Sequence, residues 1–75
     1  MPLMSILLRK YLARRLQGEK GGVVGLKARA VAKALGMPER RVVPLLRMLC
    51  IELGCEKRSK TYLFSKEALK KWLNP

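Results

Sequence analysis

The feature that most limits what this chain can fold into is a pair of apolar stripes separated by a short segment containing glycine and proline. The first stripe lies within residues 26–36, and the second begins around Arg41 and stops at Gly54. Apolar side chains recur every three or four residues in both, which is the spacing of one helical face. They are Ala28, Val31, Ala32 and Leu35, followed by Val42, Leu45, Leu46, Leu49 and Leu53. The pattern predicts two short helices with a shared core, joined by a tight turn at Leu35-Gly36-Met37-Pro38.

Pro44 complicates the second of these helices. In a helix interior, proline deletes one hydrogen bond and clashes with the carbonyl four residues earlier. If regular helix begins around Arg41, Pro44 lies in the first turn, where its amide would be unpaired in any case. We therefore predict a first turn that is bent, 3₁₀-like or outside the α-helix.

A further helix is predicted before this pair. Residues 3–17 have helical periodicity, Pro2 suits a helix start, and Gly18 ends the pattern. The apolar face consists of Met4, Leu7, Leu8, Tyr11, Leu12 and Leu16. The glycine-rich segment 18–25 is predicted to be a loop with a short extended piece at Val23-Val24.

The pattern changes to that of a β-hairpin after Gly54. Residues 55–58 and 61–64 are strand candidates on either side of Ser59-Lys60. Tyr62 and Phe64 lie on one face of the second strand, so both are expected to point inward.

A last helix is expected from an N-cap at Ser65 through Leu73. Its apolar side consists of Ala68, Leu69, Trp72 and Leu73, and Lys66, Lys70 and Lys71 are expected to remain in water. At this length we expect one domain spanning residues 1–75.

The charge balance points to a polyanionic partner. Seventeen Lys and Arg stand against five acids, giving a formal charge of +12. A surface rich in both signs would serve solubility alone, whereas an excess of one sign steers the chain toward nucleic acid and releases counterions on binding. The single Asn and single Gln, beside abundant Lys and Arg, are a tendency of thermophile proteins.

The paired stripes resemble the helix-turn-helix of prokaryotic and archaeal DNA-binding proteins. Ala32, Gly36, Val42 and Leu45 match the spacings of that family, and the continuation through the hairpin looks like the wing of archaeal winged-helix regulators and chromatin-associated proteins. The resemblance covers about residues 26–65. It implies an α+β, mainly α, winged helix-turn-helix fold with a three-helix core, a β-hairpin wing and a C-terminal helix. Such domains often place a short strand near Val23-Val24 that pairs with the wing.

The resemblance also implies how the second helix of the pair would be used. In the family this helix enters the major groove of DNA. Arg40, Arg41 and Arg47 lie off the apolar stripe and are therefore expected to face the groove. Arginine can fork onto guanine or clamp a phosphate. Each of them could also be an ordinary solvated surface arginine.

Two other basic clusters are implied as contacts to the DNA backbone. The wing tip would touch phosphate or minor groove, although charged hairpin tips also protect sheet edges. The helix before the turn would position the domain without reading sequence. These candidates are Lys57, Arg58 and Lys60 in the wing and Lys27, Arg29 and Lys33 in the helix.

The sequence departs from the family where bases are usually read. Glu39, Val43 and Pro44 occupy positions that usually carry polar readers, and Asn and Gln are missing from the segment. We therefore expect loose or shape-based binding of double-stranded DNA, by a small transcription regulator or chromatin-associated protein. The alternatives are a ribosome-associated winged helix that binds RNA, and a module that binds an acidic protein. A homodimer through the N-terminal or C-terminal helix is also compatible with the pattern.

Several functions are not expected. The chain has neither His nor Asp, and no phosphate-binding glycine motif, so catalysis, a cofactor and a metal site are all disfavoured. Cys50 and Cys55 are interpreted as buried free thiols, although Gly54 between them would permit a disulfide. The apolar start precedes its basic cluster, the reverse of a signal peptide. No segment is apolar enough for a membrane span, so a cytoplasmic, nucleoid-associated protein is expected.

Overall fold

The computed structural model describes residues 3–75, with side chains from Ile6 onward. Within that range, four helices and three strands follow one another as α1 (Leu3–Gly18), β1 (Val23–Lys27), α2 (Ala28–Leu35), α3 (Glu39–Leu53), β2 (Glu56–Arg58), β3 (Thr61–Ser65) and α4 (Lys66–Leu73). The strands form one antiparallel sheet in the order β1-β3-β2. The chain is therefore an α+β, mainly helical small domain. The expected roles of Pro2 and the Met4 side chain lie outside what the structure describes.

One face of the sheet and all four helices enclose the core. Residues two apart on a strand point to the same face, and the inward residues of β1 lie opposite those of β3. Val24 pairs with Phe64 and Leu26 with Tyr62, and none of the four is more than 4% exposed. The helices contribute Leu8, Leu12 and Leu16 from α1, Ala28, Val31 and Ala32 from α2, Val42, Leu46 and Leu49 from α3, and Leu69 from α4. Tyr62 and Phe64 point inward, as predicted.

The boundary between β1 and α2 differs from the prediction. We expected helix from residue 26, but β1 continues through Lys27 and α2 begins at Ala28. Leu26 continues the strand alternation that begins at Val24, and it is fully buried against β3. Leu26 lies two residues before Ala28, off the helical stripe, and its pairing with Tyr62 keeps it in the strand.

The turn between α2 and α3 is built as expected around Gly36. This residue has φ 67° and ψ 36°, the left-handed conformation that glycine adopts without strain. The amide of Met37 donates to the carbonyl of Ala32 at 3.1 Å, which gives a hydrogen-bond partner to a carbonyl in the last turn of α2. Three residues are thus enough to join the two helices.

The first turn of α3 has the predicted 3₁₀-like bond, but the expected position of Pro44 in that turn was wrong. α3 begins at Glu39, so Pro44 lies inside the helix beyond its first turn. The 3₁₀-like bond occurs earlier, from the amide of Arg41 to the carbonyl of Pro38 at 3.0 Å. Pro44 and Arg40 are both exposed, so water can bond the Arg40 carbonyl that the missing amide would otherwise occupy.

Cys50 and Cys55 form a disulfide, which corrects the expectation of two free thiols. Gly54 has φ 78° and turns the chain between α3 and β2. This brings the two Cα atoms to 5.0 Å, within the range that a disulfide spans. The hairpin is therefore covalently fixed to the end of α3.

Ser65 caps α4 as predicted, its Oγ accepting a hydrogen bond from the amide of Ala68 at 3.3 Å. Lys66 is a correction, because it does not simply remain in water. It is half-buried, and its Nζ donates to the carbonyl of Glu19. This bond ties the start of α4 to the loop after α1.

Candidate nucleic-acid interface

A groove of about 750 Å³ separates the β2–β3 hairpin from the N-terminal parts of α2 and α3. The β1–α2 junction, one flank of α3 and the hairpin each contribute side chains to it. The lining residues are Lys27, Ala28, Arg29, Glu39, Val43, Arg47, Lys57, Ser59, Lys60, Thr61 and Tyr62. Five of them are basic and one is acidic, so the groove presents a concentrated positive charge.

The α3 flank of the groove follows from helical geometry. Glu39, Val43 and Arg47 are four residues apart, so they lie one above another beside the buried stripe of Val42 and Leu46. Val43 is half-buried against the core, whereas Arg47 is exposed. The flank therefore places the apolar side chain of Val43 between the carboxylate of Glu39 and the guanidinium of Arg47.

The hairpin wall is organised by Tyr62. Its ring is only 4% exposed, and Lys57 is its direct partner across the β2–β3 ladder. The ammonium of Lys57 lies 5.3 Å from the ring centroid, close enough for a cation–π contact. Such a contact orients the Lys57 side chain and leaves the positive charge of its ammonium intact.

No acid neutralises the basic groove residues in the described part of the chain. The two ion pairs found there join Arg15 to Glu19 at 3.7 Å and Arg58 to Glu56 at 3.1 Å. Neither pair involves a lining residue, and Glu39 makes no ion pair with a described base. The groove cations are therefore available to a ligand.

The groove unites five of the nine basic residues predicted as contacts, namely Lys27, Arg29, Arg47, Lys57 and Lys60. The other four are exposed but do not line it. Lys33 lies one turn beyond Arg29 on α2, and Arg58 pairs with Glu56 beside the hairpin turn. Arg40 and Arg41 are neighbours in sequence but lie on different sides of α3.

Arg40 and Arg41 were predicted to act together with Arg47. At 100° per residue, Arg40 lies on the side of α3 opposite the core, close to Arg47. Arg41 lies on the far flank, on the other side of the helix from Val43 and the hairpin. The structure thus separates Arg41 from the groove while leaving Arg40 at its outer rim.

A second group of cations has a different environment on the α1–α4 side. Arg9 lies 4.4 Å from the ring centroid of Trp72 and donates to its carbonyl at 3.4 Å. Arg15 donates to the carbonyl of Gly25 at 3.1 Å and to the hydroxyl of Tyr11 at 3.2 Å. These cations connect α1 to α4 and to β1, and their hydrogen-bonding capacity is partly used within the fold.

Sequence reasoning missed the groove's other lining residues. Glu39 and Val43 were noted only as poor base readers, and Tyr62 only as a core residue. The spacing of Glu39, Val43 and Arg47 was a usable signal for a shared flank. The proximity of this flank to the hairpin had no local signal, because it depends on how α3 and β3 pack.

The chain matches no protein-family model, no curated protein and no solved structure in the three comparisons. Among residues 3–75, no three His, Cys, Asp or Glu side chains gather as a metal site would require. The same residues include no helix with the length and apolar character to cross a membrane.

Proposed function

We propose that this chain is a winged helix-turn-helix domain that binds double-stranded DNA, with α3 as the recognition helix and the β2–β3 hairpin as the wing. The observation that carries the proposal is the groove. Five cations from the β1–α2 junction, α3 and the hairpin converge there without internal ion pairs. A polyanion whose phosphates follow two sides of a groove suits that arrangement.

The order and pairing of the elements support the winged-helix assignment. α2 and α3 are joined by three residues, and the hairpin follows α3 directly. β1 pairs with β3 of the hairpin, which matches the short strand expected to pair with a wing. The disulfide between Cys50 and Cys55 would keep the wing at a fixed position relative to the recognition helix.

The contacts divide into positioning and reading groups. Lys27, Arg29, Lys57 and Lys60 lie along the groove walls and would bind phosphates. Arg47 and Arg40 lie on the outward side of α3 and would reach base edges or inner phosphates. Two arginine readers provide limited sequence discrimination, which favours a loosely specific regulator or a chromatin-associated role over a strict operator-binding repressor.

RNA binding receives less support from the aromatic residues. Single-stranded RNA is usually recognised by bases stacking on exposed aromatic rings. Tyr62 and Phe64 are buried, and Trp72 is half-buried beneath the guanidinium of Arg9. This arrangement leaves no stacking platform among these three rings.

The deciding experiment is a titration of the protein into labelled duplex DNA and into structured RNA, followed by fluorescence anisotropy at several salt concentrations. Tighter binding to the duplex is expected. Its log–log salt slope should be about −4 to −5, at about 0.9 per neutralised phosphate for the five groove cations. Equal or tighter binding to RNA would favour the ribosome-associated alternative. If the protein binds neither, the remaining alternative is a module that binds an acidic protein.

A further inference from the structure

The outward side of α3 carries an apolar strip that neither the core nor the basic groove explains. Pro44, Met48 and Ile51 follow one another at intervals of four and three residues, so they share one face of the helix. This face is opposite Val42, Leu46 and Leu49, which are buried. Met48 is 68% exposed and Ile51 is 85% exposed. We call these three residues the α3 strip.

The exposure of these residues works against the stability of a small protein. Isoleucine and methionine are among the residues most often buried. Proline in a helix interior destabilises the helix relative to alanine, and Pro44 is exposed, so its ring gains little from packing in the free protein. Three such residues on one face of one helix indicate a surface that is covered when the protein works.

The neighbours of the α3 strip indicate what covers it. Arg40 and Arg47 are exposed on the same side of the helix, Arg40 one turn before Pro44 and Arg47 between Pro44 and Met48. The chain's charge of +12 and its unpaired groove cations complement a polyanion rather than an apolar protein surface. The covering surface therefore combines negative charge with apolar groups. The floor of the DNA major groove does so, because thymine presents a C5-methyl group there between the phosphate chains.

We infer that the α3 strip reads thymine methyl groups in the major groove, with Arg47 beside the strip and Arg40 one turn before it placed for guanine or phosphate. The inference rests on the proposed function and adds a base preference to it. Met48 and Ile51 lie one and four residues beyond Arg47, a rise of about 1.5 and 6 Å along the helix. A thymine adjoining a guanine is therefore the expected preference.

Uracil-substituted DNA provides the test, because uracil lacks only the C5-methyl group and retains the hydrogen-bonding edge of thymine. Two pools of short random duplexes, identical except for thymine or uracil, are titrated with the oxidised full chain. The thymine pool is expected to bind about fourfold tighter for one buried methyl group and about 15-fold tighter for two. A pool containing uracil and 5-methylcytosine distinguishes the two sources of a C5-methyl group.

The variant that tests the strip is Met48→Gln combined with Ile51→Gln. It should bind the thymine and uracil pools equally, while circular dichroism and the melting temperature show a folded chain. Val23→Thr is the matched control, since Val23 is 57% exposed but pairs with Ser65 at the end of the sheet away from the hairpin turn. This control should retain the full thymine preference.

The outcomes separate failure of the inference from failure of the proposed function. Equal binding of the wild-type chain to both pools would overturn the thymine assignment and leave DNA binding in place. Absence of binding to every pool would reject the proposed function and the inference together. Tighter binding to the 5-methylcytosine pool than to the thymine pool would overturn thymine as the methyl source. A wild-type dimer that the double variant converts to monomer, together with equal binding to both pools, would assign the strip to a second copy of the chain.

Discussion

The groove side and the α1–α4 side of the molecule are both rich in Lys and Arg, but they hold these residues differently. In the groove, the cations extend from exposed positions on the β1–α2 junction, α3 and the hairpin, and they make no ion pairs with described acids. On the α1–α4 side, Arg9, Arg15 and Lys66 each donate to a backbone carbonyl of another element. The first group provides a binding surface, whereas the second provides tertiary contacts.

This difference shows why a net charge overstates the size of a binding surface. An arginine near an unsatisfied carbonyl gains a charge-assisted hydrogen bond, and it then belongs to the fold. An exposed arginine among other cations donates its hydrogen bonds to water, and it remains free to exchange them for the acceptors of a ligand. The same residue type therefore predicts opposite mutational outcomes on the two sides, loss of affinity on one and loss of stability on the other.

The largest expected effect is at Arg47. Arg47→Ala should weaken duplex binding by about 1–3 kcal/mol, or roughly 5- to 150-fold, without changing the melting temperature. Arg41→Ala is the matched control, because it removes the same charge from the other flank of α3. The loss of duplex affinity in Arg41→Ala, measured by anisotropy titration, should be several-fold smaller than in Arg47→Ala. Equal losses at Arg40, Arg41, Arg47, Lys66 and Lys70 would instead show diffuse charge binding and argue against α3 as the recognition helix.

The next largest effect should follow removal of the disulfide. Cys50→Ala with Cys55→Ala frees the hairpin from α3, and closure of so short a loop is worth about 2 kcal/mol of unfolding free energy. Urea unfolding of the double variant, compared with the wild type under oxidising and reducing conditions, measures this difference. The reduced wild type should unfold like the variant. A reductant that leaves the wild-type transition unchanged would contradict the assigned stabilisation.

Arg15→Ala tests the α1–α4 side of the molecule, where the cations make tertiary contacts. The substitution removes the bonds to the Gly25 carbonyl and the Tyr11 hydroxyl, and we expect a loss of about 1 kcal/mol in unfolding free energy. Duplex affinity at a temperature where the variant is folded should change little. Arg14→Ala, an exposed neighbour on the same helix, controls for the lost charge. A variant that binds weakly but unfolds normally would place Arg15 in the binding surface.

The smallest effects are expected at Lys70 and Lys71. Both are exposed on α4 and lie outside the groove lining, so alanine at either position should change duplex affinity and stability by less than about 0.5 kcal/mol. Lys66 is a poor choice for the same purpose because its ammonium bonds the Glu19 carbonyl. Calorimetric melting and anisotropy, measured on the same samples, give both quantities. A large affinity loss at Lys70 or Lys71 would extend the binding surface onto α4.

Local sequence signals were sufficient to predict structure where only one of them acted on a residue. The inward positions of Tyr62 and Phe64 follow from strand alternation, the cap at Ser65 from its side chain, and the turn at Gly36 from its freedom to adopt positive φ. The start of α2 was placed too early. Leu26 lies two residues before Ala28 and off the helical stripe, and it continues the strand alternation from Val24 by pairing with Tyr62.

The candidate site shows the same division. The sequence by itself determined the excess of positive charge, the two helices with their short turn, and the positions of the basic residues on helices or in the hairpin. The tertiary structure decided which cations meet in one groove, that Arg41 is turned away from it, and that Cys50 and Cys55 are bonded. Spacing along a helix or strand depends on neighbouring residues, whereas the meeting of α3 with the hairpin depends on packing among residues far apart in the chain.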